Sequence, residues 1–360
     1  MLRGGIFTMT NLDTKTTEFK NSEFLNSESK SSSELLTLDV AFEQTKNTVD
    51  KVLSTAPFVI RTYTQHLIKS RGKFIRAWAL LVCAMDSNNK IHQNAVTFAS
   101  AIEILHLATL VHDDVMDDAS LRRGVITLQK KYGKKTAVIC GDYLLATALR
   151  LVTSIKDRDE YLNFELPRYI DQICMGELRQ HVNNGNMDLT FYRYLSIING
   201  KTAALFEASF YGGAILFEKE KAVLNNYRQL GKYVGMIFQL TDDCIDFEID
   251  ELTAKKNVQS DYEQGVITLP LIYTFHNNPD VKNKAKEGLL TRQELNKAVF
   301  KAGGLDFTKM ISKKYYDKFM KTMSSMDLSY EKKSQLTAIL DKAYFGLKNN
   351  KEKKNLVNEK

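Results

Sequence analysis

Apolar residues recur along most of the chain at the spacing of helices that bury one face. Between Leu38 and Leu53 they include Phe42, Val49 and Val52, which is the period of an amphipathic helix. We find no segment in which apolar and polar residues alternate as they do in a half-buried strand. Only four prolines and 18 glycines occur in 360 residues, so helix-breaking residues are scarce. The pattern predicts an all-α protein.

Helix-starting signals divide this region into a series of predicted helices. They begin near Leu38, Pro57, Arg76, Gln93, Lys135, Glu160, Asp188, Ala222 and Thr268, and weaker amphipathic helices continue to about Leu347. We expect the central helix to run from Gln93 to about Asp118. We also expect Asp188 to be the N-cap of a single helix that reaches Phe217.

Polar segments bound the helical region at both ends. Residues 1–36 are rich in Ser, Thr, Asn, Lys and Glu, so we expect a disordered leader there. Residues 37–347 are expected to form one helical domain, and residues 348–360 a mobile basic tail. The polar stretch from Glu248 to Gly265 predicts a long loop inside the domain.

The segment from Gln93 to Val111 is long and apolar enough to raise the question of a membrane span. It carries one acid, Glu103, and one histidine, His106, and it runs directly into Asp113. The mean hydropathy of the whole chain is −0.29. We therefore interpret the segment as a helix buried in the middle of a large bundle.

Cysteine usage and charge indicate the compartment and narrow the partners. The four cysteines are widely scattered, and neither a Cys-x-x-Cys pair nor a disulfide framework is apparent. The N-terminus shows no hydrophobic signal segment. We therefore expect a cytoplasmic protein. The net charge of +7 could favour nucleic acid, an anionic membrane or phosphate-bearing ligands. Much of the excess lies in the Lys-rich C-terminal third, so we expect no nucleic-acid binding.

Two clusters of carboxylates with the same Asp-Asp-x-x-Asp spacing follow apolar segments. On a helix, positions i and i+4 lie on nearly the same face, so the acids of each cluster project together. Aspartate is a mediocre helix former, and core packing does not require such clusters. One cluster alone would be interpreted as a polar helix end, but two with identical spacing predict a site. The clusters comprise Asp113, Asp114 and Asp117, and Asp242, Asp243 and Asp246.

Clusters made only of carboxylates suit hard cations such as Mg²⁺, whereas zinc prefers His or Cys. Mg²⁺ usually completes its shell with water and substrate phosphates. Two acidic walls that face one cavity would therefore bind a phosphorylated ligand through bridging metals. Cations near the same helices could form a second anion pocket, because arginine binds phosphate bidentately. They are Lys73, Arg76, Arg122 and Arg123, together with His106. Lys201 and Lys256 could neutralise a departing diphosphate.

These residues resemble the motifs of the trans-polyprenyl diphosphate synthases. The stretch from Glu103 to Asp117, followed by Arg122-Arg123-Gly124, is similar to the first aspartate-rich region of that family. The later motifs follow in the same order, as Gly141-Asp142-Tyr143-Leu144-Leu145, Gly176-Glu177, Lys201-Thr202-Ala203 and the stretch from Phe238 to Asp246. The resemblance covers about residues 38–345.

The resemblance implies a single large isoprenoid-synthase-type helical bundle around a central cavity. It implies Mg²⁺ as the cofactor, with up to three ions per site and Mn²⁺ as a substitute. The six aspartates of the two clusters would hold the metal on an allylic diphosphate such as farnesyl diphosphate, Asp114 more weakly than the others. Asp113, Asp117, Lys201 and Asp242 would be the catalytic residues, while Asp118 is expected to be peripheral.

The resemblance also implies two substrate pockets. Arg122, Lys201 and Lys256 would contact the allylic diphosphate, with Thr202 and Gln239 nearby. Lys73, Arg76, His106 and Arg123 would bind isopentenyl diphosphate. Diphosphate leaves, the isopentenyl double bond attacks the allylic cation, and a proton passes to the released diphosphate. The chain would form a homodimer, or a heteromer with a small subunit, and could contact a membrane peripherally for product release.

The chain departs from the family pattern in two segments. The family commonly has Gly-Gly-Lys-Arg-x-Arg-Pro where this chain has residues 71–77, so Lys73 and Arg76 are kept and the proline is replaced by Ala77. Before Asp261 the family usually has Gly-Lys-Pro-x-Gly-x-Asp, and both glycines are missing here. The register of Lys256 is therefore open.

Product length is expected to depend on Ala108 and Thr109, one turn before the first aspartates. Short-chain relatives typically have an aromatic residue there. Small residues would leave a tunnel open toward the N-terminal end of the central helix, so we predict a geranylgeranyl or longer product of the heptaprenyl type.

Other readings remain open at this stage. A class I terpene cyclase shares the first acidic motif, but it normally lacks a second Asp-Asp-x-x-Asp and a second diphosphate pocket. A subunit of a heteromeric prenyl diphosphate synthase is the other alternative. A non-catalytic subunit would be expected to have lost aspartates, and none is lost here. A His-Asp phosphohydrolase would need further metal histidines than His112.

Overall fold

The structure is a computed structural model that describes residues 35–155, 165–248 and 261–346. The predicted leader up to residue 34, the predicted tail from residue 348 and Lys256 lie outside the described residues. Leu35 and Leu36, which the sequence assigns to the leader, form a short strand.

Fifteen α-helices and four two-residue strands are present in the described part of the chain. The helices are α1 (Leu38–Ser54), α2 (Phe58–Ile68), α3 (Ile75–Cys83), α4 (Asn94–Met116), α5 (Leu128–Tyr132), α6 (Lys134–Thr153), α7 (Leu166–His181), α8 (Phe191–Ile198), α9 (Ala204–Ala214), α10 (Lys221–Glu248), α11 (Leu269–Asn277), α12 (Pro279–Lys286), α13 (Arg292–Ala302), α14 (Gly304–Ser324) and α15 (Tyr330–Tyr344). The strands are β1 (Leu35–Leu36), β2 (Ile91–His92), β3 (Leu121–Arg122) and β4 (Val125–Ile126). β1 pairs antiparallel with β2, and β3 with β4.

The central helix α4 packs on α6, α1 and α3, while α10 packs on α9 and α14. The side chains of α4 are buried on almost every face of the helix, including those of Phe98, Ile102 and Leu105. A second, smaller core surrounds α11 and includes Leu240 and Leu269. The helices α4 and α10 thus each carry one acidic cluster near the C-terminal end, and this arrangement determines where the site lies.

Two helices, α4 and α6, are long and apolar enough to cross a membrane by length and composition alone. In α4, 72% of the most apolar window is buried, as in the core helix of a bundle, whereas only 33% of that window is buried in α6. The interpretation of the segment from Gln93 to Val111 as a buried helix agrees with this placement. The exposed apolar face of α6 distinguishes this helix from the buried α4.

One predicted helix is wrong in its start and its continuity. Asp188 is not an N-cap: Thr190 accepts a hydrogen bond from the backbone N–H of Arg193 and caps α8. Asp188 instead forms ion pairs with Lys282 and with another lysine of α12. The segment that was predicted as one helix up to Phe217 is divided by a π-helical turn at Asn199–Ala203.

Short elements were also missed. The strand pairs are only two residues long, which is too short to produce an alternating pattern. The central helix ends at Met116, earlier than predicted, because Asp117 is its C-cap and Asp118 adopts a left-handed conformation with a φ of 49°.

Candidate active site

A cavity of about 360 Å³ lies between the ends of the two helices that carry the acidic clusters. Asp117, at the end of α4, and Asp242, near the end of α10, both line it. Asp261, at the start of the segment before α11, lines it as well. The structure therefore brings the two predicted acidic walls to one cavity.

Burial raises the pKa values of two carboxylates that line this cavity, and neighbouring carboxylates add to the effect. Burial, together with the charges of Asp246 and Asp242, raises the pKa of Asp261 to about 7. Asp117 contributes in the same direction and Lys201 against it. Burial and Asp246 likewise raise the pKa of Asp242. Since these groups come from α4, α10 and the segment after α10, the raised values indicate a shared, partly buried field of negative charge.

The first cluster has the same character. Burial raises the pKa of Asp113 to about 7, with Lys201 opposing the shift and Glu177 adding to it. A divalent cation would relieve the repulsion in both clusters, and oxygen donors are the ligands that Mg²⁺ prefers. Among the described residues, no three acidic, His or Cys side chains are close enough to hold an ion by themselves. The donor set therefore fits ions that also take water and substrate oxygens.

Asp114 and Arg122 form an ion pair at the edge of the cavity. Arg122 Nε donates to Asp114 Oδ1 at 2.7 Å, and Asp114 is buried. Arg122, at the end of β3, also lines the cavity. Asp118 is exposed and pairs with Lys134 at 2.8 Å. The first cluster thus divides into Asp117, which lines the cavity, Asp113, which interacts with Lys201, Asp114, which pairs with Arg122, and Asp118 at the surface.

Asp243 accepts hydrogen bonds on both carboxylate oxygens. Tyr194 from α8 donates to Oδ2, and Gln239 Nε2 donates to Oδ1 at 2.9 Å. Gln239 Oε1 in turn accepts from Thr202 Oγ1 at 2.7 Å. Asp243 is buried, and burial followed by the charge of Asp261 raises its pKa to about 8. This chain of bonds connects the π-helical turn to the second cluster, and the role of Asp243 as a metal ligand stays a prediction.

Lys201 is placed by two glycines that allow α7 and the π-helical turn to touch. A Cβ at Gly176 would lie 2.2 Å from the backbone N of Lys201, and one at Gly200 would lie 2.8 Å from the carbonyl oxygen of Gln172. Because no side chain intervenes, Lys201 Nζ donates to Glu177 Oε1 at 2.9 Å. A π-helical turn within an α-helix is frequently found at functional sites.

The charge of Lys201 is maintained by its carboxylate neighbours. Burial works against the ammonium form, but Glu177 and Asp113 outweigh it and raise the pKa of Lys201. The side chain therefore keeps a positive charge that faces the first aspartate cluster across the cavity.

A second group of cations assembles around the turn before α3. Arg76 Nη1 donates to His106 Nε2 at 3.1 Å, and Arg123 Nη1 donates to the carbonyl oxygen of Ser70 at 2.9 Å. Gly72 makes room for Arg123, since a Cβ there would lie 2.8 Å from Nη1. Lys73 is exposed in the same turn. The structure thus brings the predicted cations of the second pocket to one turn of the backbone.

Arg76 is half-buried and keeps an open donor. Its guanidinium lies 4.5 Å from the ring centroid of Phe206 and 6.0 Å from that of Phe238. Within the described residues, its buried Nε has no hydrogen-bond partner. Burial and the charge of Arg76 keep the pKa of His106 well below its usual range. The neutral ring therefore accepts from Arg76, and the guanidinium can bind an anion.

The predicted chain-length residues lie on α4 below the aspartates. Ala108 is buried, and Thr109 is half-buried and donates its hydroxyl hydrogen to the carbonyl oxygen of His106 at 2.9 Å. Ala108 presents only a methyl group to the core, and the role of both residues in product length stays a prediction.

Three residues of this site were not among the predicted ones. Asp261 and Glu177 were noticed only as parts of motifs, although an acid that follows a polar loop and an acid next to a glycine were both visible signals. Tyr194 carried no signal, because a tyrosine at a helical core position is indistinguishable from a packing residue. Lys256 lies outside the described residues.

An all-helical bundle with two carboxylate clusters on one cavity defines the class of metal-dependent enzymes that act on diphosphates. Residues 58–302 match the polyprenyl synthetase family. Component 2 of heptaprenyl diphosphate synthase from Bacillus subtilis (strain 168) is 34% identical over 269 residues, which cover 72% of this chain and 75% of that protein.

Solved structures agree with this similarity. Heptaprenyl diphosphate synthase from Staphylococcus aureus has a TM-score of 0.77 at 30% identity, covering 86% of this chain and 99% of that one. Polyprenyl synthase from Caulobacter crescentus CB15, complexed with calcium and isoprenyl diphosphate, has a TM-score of 0.75 at 26% identity, covering 85% and 94%.

The chain belongs to the polyprenyl synthetase family. The predicted all-α isoprenoid-synthase fold and the predicted trans-prenyltransferase activity are confirmed. Its substrates are isoprenyl diphosphates.

Proposed function

We propose that the chain condenses isopentenyl diphosphate with an allylic diphosphate, with Mg²⁺ as its metal. The observation that carries the proposal is that Asp117, Lys201, Asp242 and Asp261 line one cavity. A separate cation group surrounds Arg76. One pocket thus combines carboxylates with a lysine, as a metal-bound diphosphate requires, and the other offers cations alone.

The allylic pocket would act on the leaving group. Asp113, Asp117, Asp242 and Asp246 would hold Mg²⁺, which neutralises the charge of the departing diphosphate. Lys201 adds a fixed positive charge from the opposite wall, kept in place by Glu177. Such preorganised charges contribute most when water is excluded.

The second pocket would hold the nucleophilic substrate. Arg76 and Arg123 would bind the isopentenyl diphosphate through their guanidinium groups, with Lys73 and His106 at its edge. A pocket without carboxylate clusters needs no metal, and arginine binds phosphate oxygens bidentately. Positioning the double bond near the allylic carbon is the main contribution of this half of the site. As the resemblance implies, the released diphosphate would take the proton that is lost.

The proposed product is geranylgeranyl diphosphate or longer. Small side chains at Ala108 and Thr109 support this length, as do the similar proteins named as heptaprenyl diphosphate synthases. Farnesyl diphosphate is the proposed allylic substrate.

We also propose a homodimer that buries the exposed apolar faces of α6 and α7. On α6, Val138 and Ile139 are exposed, and on α7 Met175 and Leu178 are exposed together with Val182 at its C-cap, with helical spacing. Contiguous exposed apolar side chains of this kind mark interaction sites. A heteromer is the alternative, because the Bacillus subtilis relative is named component 2.

Light scattering tests the assembly. A homodimer has twice the mass of the 41.1 kDa chain, and Leu178→Asp is expected to shift it to a monomer. Leu289→Asp is the matched control, because Leu289 is also exposed but lies between α12 and α13. A wild-type mass of one chain would contradict the homodimer.

The proposed location is the cytoplasm, with peripheral membrane contact for product release, and fractionation of the cells would check it.

The activity is tested with purified protein, Mg²⁺, labelled isopentenyl diphosphate and farnesyl diphosphate, with product lengths measured by chromatography. Elongation to geranylgeranyl or longer products by the protein alone is expected, and EDTA should abolish it. If the protein alone does not elongate, the homomeric enzyme is contradicted and a second subunit is required.

A further inference from the structure

Glu103 reaches from the middle of α4 to the first turn of α3. It is buried, with 5% of its surface exposed. The backbone N–H of Ala77 donates to its Oε1 at 3.0 Å, and the backbone N–H of Arg76 also hydrogen-bonds the carboxylate. Because α3 begins at Ile75, these are N–H groups that have no acceptor within the helix.

The carboxylate replaces the cap that the sequence does not provide. The N-cap position of α3 is Phe74, which has no side-chain acceptor. A serine or aspartate at that position would accept from the second or third helical N–H, and those are the N–H groups of Arg76 and Ala77. The family pattern has proline, which has no N–H, in place of Ala77, so the bond from residue 77 accompanies a departure of this chain.

The turn that Glu103 stabilises is strained. Phe74 has a φ of 53°, in the left-handed region, which a bulky side chain rarely adopts. Its ring is buried and packs edge-on against Phe42 at a centroid distance of 6.4 Å. A strained turn persists only where its surroundings hold it, and here the holding contacts are Phe42 and Glu103.

The same turn carries the second cation pocket. Lys73 and Arg76 lie on either side of Phe74 in the sequence, and Gly72 contacts the guanidinium of Arg123. A change in the turn would therefore move three cations relative to one another. The carboxylate of Glu103 also lies near Arg76 and Arg123. Its charge supports the ionised form of Arg76, whose pKa is lowered by burial to about 10.

We propose that Glu103 is a positioning residue for the isopentenyl diphosphate pocket. It accepts the N–H groups of the first turn of α3 and thereby sets the geometry of Lys73 and Arg76. The proposal rests on the assignment of that pocket under the proposed function. Glu103 is not a ligand, because its carboxylate is occupied by N–H donors and would repel a diphosphate.

Two conservative variants separate the hydrogen bonds from the charge. Glu103→Gln keeps an acceptor oxygen at the same reach and removes the charge. Glu103→Asp keeps the charge and withdraws it by one methylene, so the carboxylate no longer reaches both N–H groups. The KM values for both substrates are measured, together with calorimetric binding of isopentenyl diphosphate in the absence of an allylic substrate.

Glu103→Asp is expected to raise the KM and the Kd for isopentenyl diphosphate about tenfold, the equivalent of about 1.4 kcal/mol. In Glu103→Asp the KM for the allylic substrate should change less than about twofold. In Glu103→Gln the KM values for both substrates should stay within about threefold of the wild type. Equal effects on the two substrates, or equal damage by both variants, would overturn the proposal.

Arg76→Met separates this inference from the pocket assignment. If that variant weakens isopentenyl diphosphate and Glu103→Asp does not, the role of Glu103 is refuted and the pocket stands. If Arg76→Met has no effect on isopentenyl diphosphate, the pocket assignment fails and the role of Glu103 fails with it.

Discussion

Arg122 donates from Nε to Oδ1 of Asp114 at 2.7 Å, so the middle aspartate of the first cluster is already paired with a cation. Asp117 is left to line the cavity, and Asp113 interacts with Lys201, which also lines it. This division gives the three acids different expected contributions, although their spacing in the sequence treats them alike.

Asparagine substitutions test that division. Asp113→Asn is expected to lower kcat/KM for the allylic substrate by about 10²–10³, as the loss of one preorganised charge does. Asp114→Asn should lower it by about tenfold, about 1.4 kcal/mol, through a less well-held Arg122. Asp118→Asn is the control, because its pair with Lys134 is exposed and screened by solvent. Steady-state kinetics check the order, and an Asp114→Asn defect as large as that of Asp113→Asn would contradict it.

Tyr194 is expected to stabilise the second cluster. Tyr194→Phe leaves a buried carboxyl oxygen of Asp243 without this hydrogen bond, and an unsatisfied buried polar group costs about 1–3 kcal/mol. Urea unfolding should show a loss of that size. Tyr192→Phe is the matched control, since Tyr192 lies two residues away and is 81% exposed. Equal losses in the two variants would show that the bond to Asp243 does not stabilise the protein.

Product length should respond to Ala108. Ala108→Phe places an aromatic ring where only a methyl group is buried, so the growing chain is expected to be stopped earlier and the product shortened. Chromatography of the dephosphorylated products measures this. Ala338→Phe, on an exposed position of α15, should leave the product unchanged. An unaltered length distribution in Ala108→Phe would contradict the placement of the tunnel.

Lys332 should give the protein a pH-dependent stability that is unrelated to catalysis. It is buried, donates to the carbonyl oxygen of Met85 and to Tyr227, and lies 4.1 Å from the ring centroid of Phe217. Burial lowers its pKa to about 8 from an ordinary value of 10.5, while Cys83 opposes the shift.

The sign follows from proton release. Below pH 8 the lysine is charged in both states, and burial of that charge destabilises the fold. Between pH 8 and 10.5 the native state loses the proton first, so the unfolded state binds more protons and native stability rises with pH. Relative to Lys332→Met, the wild type should gain at most about 3 kcal/mol across this window. Unfolding of both proteins at pH 7.5 and 10 measures it, and a constant difference would contradict the lowered pKa.

Periodicity was sufficient for the fold class, because long apolar helices with few breakers leave little choice. It failed at the segment from Asp188 to Phe217, where Thr190 rather than Asp188 caps the helix and a π-helical turn interrupts it. Periodicity does not register one extra residue in a turn, and a cap depends on backbone direction as well as residue type.

The candidate site was likewise predicted only in part from the sequence. The spacing of the aspartates predicts which acids project together, and the sequence also predicts the cations around Arg76 as a second anion pocket. Their individual partners depended on contacts between distant segments, such as that of Tyr194 with Asp243. The left-handed conformation of Phe74, which places Arg76, also has no signature in the sequence.

The central claim is that the two acidic clusters are walls of one metal-diphosphate site, and a double-mutant cycle tests it most directly. Calorimetry measures the Mg²⁺-dependent binding of inorganic pyrophosphate to the wild type, Asp113→Asn, Asp242→Asn and the double variant, with EDTA as the blank. Each single variant should weaken this binding, and the double variant hardly more than either, with a coupling of about 0.5–3 kcal/mol. Additive losses, or wild-type binding in either single variant, would contradict a shared site.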